Sequence, residues 1–151
     1  MLHGVRLDNG DALWYKNRRV LGNDSTANTS VISHAGHTYA IVEAGGYPVE
    51  IDGELNSLDS KPFYGDRTEG FTAHPKYDAD TGELHAICYD YGSDPNNVRY
   101  VVIDDAGRHK ETRVIPLPSR SMVHECAITP QYVLLLDLPI TLSLIHISEP
   151  T

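Results

Sequence analysis

Hydrophobic and polar positions along this chain alternate in short runs broken by turn residues. That period-2 pattern predicts strands, and no stretch gives a convincing helical period. Residues 2–7 read as a strand, Asp8-Asn9-Gly10-Asp11 as a tight hairpin turn, and residues 12–20 as the returning strand, rich in β-formers and aromatics. Residues 21–26 are polar and turn-like. A second hairpin is predicted from 28–34 and 37–43 around Ala35-Gly36, with Val31, Tyr39, Ile41 and Val42 at apolar positions and Gly45-Gly46 ending it. Residues 48–58 carry a short strand. More strands are predicted over 83–91, where apolar residues alternate or run together, and over 97–104 and 111–117, with turns at 78–82 and 106–107. A last pair opens at 122–124, turns at Thr129-Pro130-Gln131 and returns over 132–137. The fold class predicted is all-β, an antiparallel β-meander; the pattern alone leaves a barrel, a sandwich or propeller blades open.

Composition narrows the function classes. At 151 residues the chain is large enough to bury the core of one ordinary domain. A formal net charge of −9 argues against nucleic-acid binding, because no basic stripe is available to displace counterions from phosphates. The two cysteines, Cys88 and Cys126, lie in apolar, strand-like contexts that suit a reducing, cytoplasmic compartment better than a disulfide framework. The first residues lack a basic segment and an apolar core, so nothing reads as a signal peptide. The longest apolar run, 133–145, is interrupted by Asp137 and Pro139 and falls short of the ~20 residues a membrane span needs.

Candidate chemistry centres on residues 70–84, G-F-T-A-H-P-K-Y-D-A-D-T-G-E-L. His74 precedes Pro75, whose ring pushes the residue before it into an extended conformation, so its imidazole is aimed at one point. Asp78-Ala79-Asp80-Thr81-Gly82 reads as a turn in which carboxylates bond their own backbone and a glycine accepts positive φ. Glu43 ends an apolar strand, where a carboxylate is costly to bury without a hydrogen-bond partner or else emerges into solvent. His124 sits between apolar residues, and a lone histidine there is more often a satisfied core residue than a ligand. A closed zinc site finds no paired cysteine spacing to build on.

The motif T-A-H-P-K-x-D-x-x-T-G-E-L-H at 72–85 resembles the first iron-ligand motif of the carotenoid cleavage oxygenase family, which includes the lignostilbene dioxygenases and the retinal pigment epithelial membrane protein family. Met1-Leu2-His3-Gly4-Val5-Arg6-Leu7, Trp14-Tyr15-Lys16-Asn17-Arg18-Arg19-Val20, Ala27-Asn28-Thr29, His34-Ala35-Gly36 and Met122-Val123-His124-Glu125-Cys126-Ala127-Ile128-Thr129 match other family segments in the right order. The resemblance implies that the strands form part of a seven-bladed β-propeller spanning 1–142. It also implies that His74 and His124 are two of four histidine ligands to Fe(II), and that the Glu43 carboxylate accepts a hydrogen bond from His124. Four neutral imidazoles hold a metal without cancelling its charge and leave positions for dioxygen. The activity implied is dioxygen-dependent cleavage of a C=C double bond in a conjugated substrate, giving two carbonyl products with no organic cofactor. Such a partial chain is expected to be inactive alone.

In the lignostilbene branch a lysine directly before the glutamate contacts the substrate phenol. Val42 holds that position here, which points toward an apocarotenoid-like or other apolar polyene, with Tyr15 as a further pocket candidate. A lignostilbene-type stilbene dioxygenase and a non-catalytic propeller-derived binding module are the alternatives. His3 is read as structural, and His34, His37, His85 and His109 as non-ligands, the last two exposed. Residues 143–151 resemble no part of the family and read as an assembly artefact, so His146 is not a ligand. Sequence upstream of Met1 is expected, because the family's M-x-H-G-V hairpin is internal.

Overall fold

The computed structural model describes residues 2–5, 12–15, 27, 29–44, 46–58, 63, 70–90, 94–118 and 122–138. Among them are strands β1 (Leu2–Val5), β2 (Ala12–Tyr15), β3 (Ser30–His34), β4 (His37–Ile41), β5 (Val49–Glu50) and β6 (Lys76–Tyr77). These are followed by β7 (Leu84–Asp90), β8 (Asp94–Ile103), β9 (His109–Pro116), β10 (Cys126–Ile128) and β11 (Val133–Leu135). Among the described residues every strand pairing is antiparallel and between sequence neighbours: β1-β2, β3-β4-β5, β6-β7-β8-β9 and β10-β11 form four sheets. The all-β meander expected from the period-2 pattern is therefore the fold of the described residues.

Turn chemistry fixes the hairpins. Ala35 and Gly36 take φ of 51° and 81°, the double positive-φ turn whose twist matches a two-residue hairpin, and they pair His34 with His37. Asp78 builds the β6–β7 turn: its Oδ1 accepts from the Asp80 amide at 2.9 Å and its Oδ2 from the Thr81 hydroxyl at 3.0 Å, while the Gly82 amide donates to its carbonyl at 2.8 Å. Gly82 has φ of 75°, and a Cβ there would lie 2.9 Å from Cβ of Asp105, so both conformation and space require glycine. β6 was not anticipated, since two residues before a turn carry no periodic signal. Conversely, 122–125 precede the last pair as non-strand chain, and β10 starts only at Cys126. The predicted continuation of the second strand over 16–20, and the proposed boundary at 142, lie outside the described residues.

β7 explains its own apolar sequence. Leu84, Ala86 and Cys88 point to one face and pack with Tyr39, Ile41, Phe63, Phe71, Val101 and Ile103, joining this sheet to β4. Ile87 and Tyr89 point to the other face and pack with Val98, Val123 and Cys126, joining it to β10. A strand buried on both sides loses simple alternation. Phe71, Ile41 and Ile103 are fully buried, each contributing about 1.5–3 kcal/mol through removal from water. Cys88 and Cys126 are buried free thiols, and burial pushes the Cys126 thiol above its ordinary value.

Candidate metal centre

Three strand ends meet at one point. Glu43 lies two residues past β4, and the chain turns sharply after it, with Ala44 at φ of 60°. His74 lies two residues before β6; the buried Thr72 and Ala73 anchor its backbone, and the His74 amide donates to Thr72 Oγ1 at 3.3 Å. His124 lies two residues before β10, on a segment pinned by fully buried Val123.

The two imidazoles sit 4.5 Å apart between centroids, tilted by 49°. One nitrogen from each ring and one Glu43 carboxylate oxygen all lie within 4.8 Å of one another. Glu43 Oε2 accepts hydrogen bonds from Nδ1 of His124 at 3.0 Å and from the Tyr89 hydroxyl at 2.9 Å. Glu43 Oε1 lies 2.8 Å from Nδ1 of His124 and 3.3 Å from Nε2 of His74. These are contact distances only: Oε1 is buried and makes no directed hydrogen bond. The His124 side chain is 58 % exposed and that of His74 33 %, so the cluster opens outward from a half-buried carboxylate.

The chemistry of this set fits a divalent metal. With Nδ1–H of His124 given to Glu43, Nε2 of His124 carries the lone pair, the tautomer a metal requires. A buried carboxylate oxygen without a donor, facing two imidazoles, also fits an adjacent cation. Beside the cluster Lys76, two residues past His74, pairs with Glu125, the residue after His124, so an ion pair joins the two histidine segments. That pair holds the Glu125 carboxyl below its ordinary range.

The structure thus brings Glu43, His74 and His124 together and adds two features that the sequence did not disclose. Glu43 reaches both histidines rather than His124 alone, and Tyr89 holds Glu43 from below. Tyr89 could have been found from one signal: a phenol on an apolar strand needs a partner for its hydroxyl when buried. Val42 is half-buried directly before Glu43, whereas Tyr15 ends β2 and its side chain lies outside the described residues. His34 bonds the Asp104 carbonyl at 2.6 Å, His37 bonds Glu50 at 2.6 Å and His109 bonds Thr112 at 2.8 Å, so none of these joins the cluster. His85 and His109, expected to be exposed, are half-buried; His85 stacks on Tyr100 and shares a 2.7 Å hydrogen bond with its hydroxyl. The side chain of His3 and all of His146 lie outside the described residues.

Residues 2–149 match the family model of retinal pigment epithelial membrane protein. The chain is 38% identical over 162 residues to a carotenoid cleavage oxygenase of Mycobacterium tuberculosis, a match covering 93% of this chain and 32% of that protein. It is 36% identical over 118 residues to a carotenoid 9,10(9',10')-cleavage dioxygenase of Crocus sativus, covering 76% of this chain and 21% of the relative. Among solved structures, a lignostilbene dioxygenase of Pseudomonas brassicacearum superposes with a TM-score of 0.73 at 34% identity, over 83% of this chain and 26% of that one. The chain therefore spans about a third or less of the length of the relatives it matches.

Proposed function

The chain belongs to the retinal pigment epithelial membrane protein family, and from that premise we propose that it supplies part of a non-haem Fe(II) dioxygenase that cleaves a C=C double bond of a conjugated substrate. The observation that carries this reading is the convergence of Glu43, His74 and His124 from the ends of three sheets. His74 and His124 would hold the iron, with Glu43 fixing the tautomer of His124 and orienting its ring. Bound iron supplies dioxygen activation, for which an open, imidazole-rich site is suited. The protein's own part is to aim two rings, to keep Nε2 of His124 unprotonated and to place apolar surface beside the metal.

Val42 offers neither charge nor hydrogen-bond donor directly before Glu43. It supports an apolar polyene of the apocarotenoid type as the substrate, since an aliphatic side chain cannot bind a phenolate. The similarity to the lignostilbene dioxygenase favours a second reading, a phenolic stilbene. Turnover of an apocarotenal against a 4-hydroxystilbene by the protein that carries this segment separates the two: preference for the stilbene would remove Val42 as a specificity argument. Iron content after anaerobic loading tests the centre itself. His74→Ala or His124→Ala is expected to abolish retention, and stoichiometric iron in either variant would overturn the assignment. Residues 1–142 are proposed as the propeller segment and the remaining residues as lying outside it.

A further inference from the structure

Taking the reading of Glu43, His74 and His124 as a metal centre, we propose that Tyr89 is a positioning residue of that centre, acting through the Glu43 carboxylate. Tyr89 lies on β7, 46 residues from Glu43 in the chain, and is only 5% exposed. The pleat of β7 turns its ring toward β10, into the cluster with Ile87, Val98, Val123 and Cys126. Its hydroxyl donates to Glu43 Oε2 at 2.9 Å.

The consequence is geometric. Oε2 accepts from both Tyr89 and Nδ1 of His124, so the two donors together fix the plane of the carboxylate. A carboxylate held by one donor can rotate about its terminal bond, which is a broad, two-fold torsion. Rotation would release the Nδ1–H of His124 and let its ring choose the other tautomer, in which Nε2 carries the proton and cannot ligate. It would also swing Oε1 away from Nε2 of His74, now 3.3 Å off. The same Tyr89 ring packs in one cluster with Val123, the residue before His124. One side chain thus fixes the acceptor and supports the backbone that carries the donor.

The test uses cobalt(II) as the probe on the metal-free form of the protein that carries this segment, titrated by its visible absorption. Four forms are compared: wild type, Tyr89→Phe, Glu43→Ala and the double variant. Tyr89→Phe keeps the packed ring and removes only the hydroxyl. It is expected to weaken cobalt binding about tenfold, the low end of what outer-shell changes cost, and to alter the cobalt bands. In the Glu43→Ala background the same substitution is expected to do nothing, because the acceptor is gone. Imidazole nitrogen shifts of His124 in the metal-free protein give a second readout: Nδ1–H in wild type, a tautomer mixture in Tyr89→Phe. Cobalt affinity within twofold of wild type together with an unchanged His124 tautomer would overturn the proposal, as would an equal loss in both backgrounds. Failure of the wild-type protein to bind cobalt would instead sink the metal-centre reading, and this inference with it.

Discussion

Replacing Glu43 by glutamine removes one charge and almost no volume, so its effect isolates what the carboxylate does for His124. In the native arrangement Oε2 accepts from Nδ1 of His124 at 3.0 Å and from Tyr89 at 2.9 Å. Glutamine has one carbonyl oxygen and one amide nitrogen for the two positions. If the oxygen takes the place of Oε2 beside the tyrosine hydroxyl, the amide nitrogen stands where Oε1 did, 2.8 Å from Nδ1 of His124, and that ring relieves the donor–donor contact only by presenting an unprotonated Nδ1. Its proton then sits on Nε2, the nitrogen needed by the metal. Correcting that tautomer, or moving the amide, costs free energy that metal binding must supply. The expected loss is about 10- to 100-fold in affinity, or about 1.4 to 2.7 kcal/mol. Anaerobic Fe(II) or cobalt(II) titration of wild type and Glu43→Gln measures it directly. Wild-type affinity would refute the tautomer argument, and a loss far beyond 100-fold would place the carboxylate in the coordination sphere itself.

Two other predictions concern the turn between β6 and β7. Gly82→Ala forces a methyl-bearing residue to φ of 75° and drives Cβ against Asp105, so about 1–2 kcal/mol of stability is lost from conformation alone, before any crowding; an unchanged thermal midpoint would show that the turn rearranges freely. The Asp78 carboxyl is held below its ordinary value of 3.8, chiefly by the Asp80 amide and then by the Thr81 hydroxyl. Its contribution is therefore complete above pH 3.8 and is lost as pH falls through the lower folded value. Asp78→Asn should flatten that acid limb, and an NMR titration placing the Asp78 carboxyl at or above 3.8 would contradict the turn geometry.

Much of the fold could be read from the chain because its signals are local. Ala35-Gly36 between apolar runs specifies the β3–β4 hairpin, and Asp78 through Gly82 specifies the turn after β6, each within five residues. The pair Lys76–Tyr77 was illegible because strand character there is imposed by pairing with His85 and Leu84 rather than by pattern. The half-buried state of His85 depends on stacking against Tyr100, fifteen positions later on the next strand. At the centre, residue types alone left His124 indistinguishable from an ordinary core histidine, and only the matched motifs singled it out. Tyr89 had no motif to announce it. Its role depends on which of two faces of a doubly buried strand looks toward Glu43, a question that pairing and packing answer.

His74 and His124 stand where one sheet hands the chain to the next, and Glu43 stands where β4 turns toward β5 within its own sheet. Their separations therefore measure how three stacked sheets lean on one another, as the feet of a tripod register the tilt of the ground. Donor groups must hold within about half an ångström to work as a site. Side chains packed in one cluster with Val123, such as Ile87 on β7 and Val98 on β8, thus act as shims under one foot. Altering their thickness would be felt as a misaligned ring before it was felt as a melted sheet.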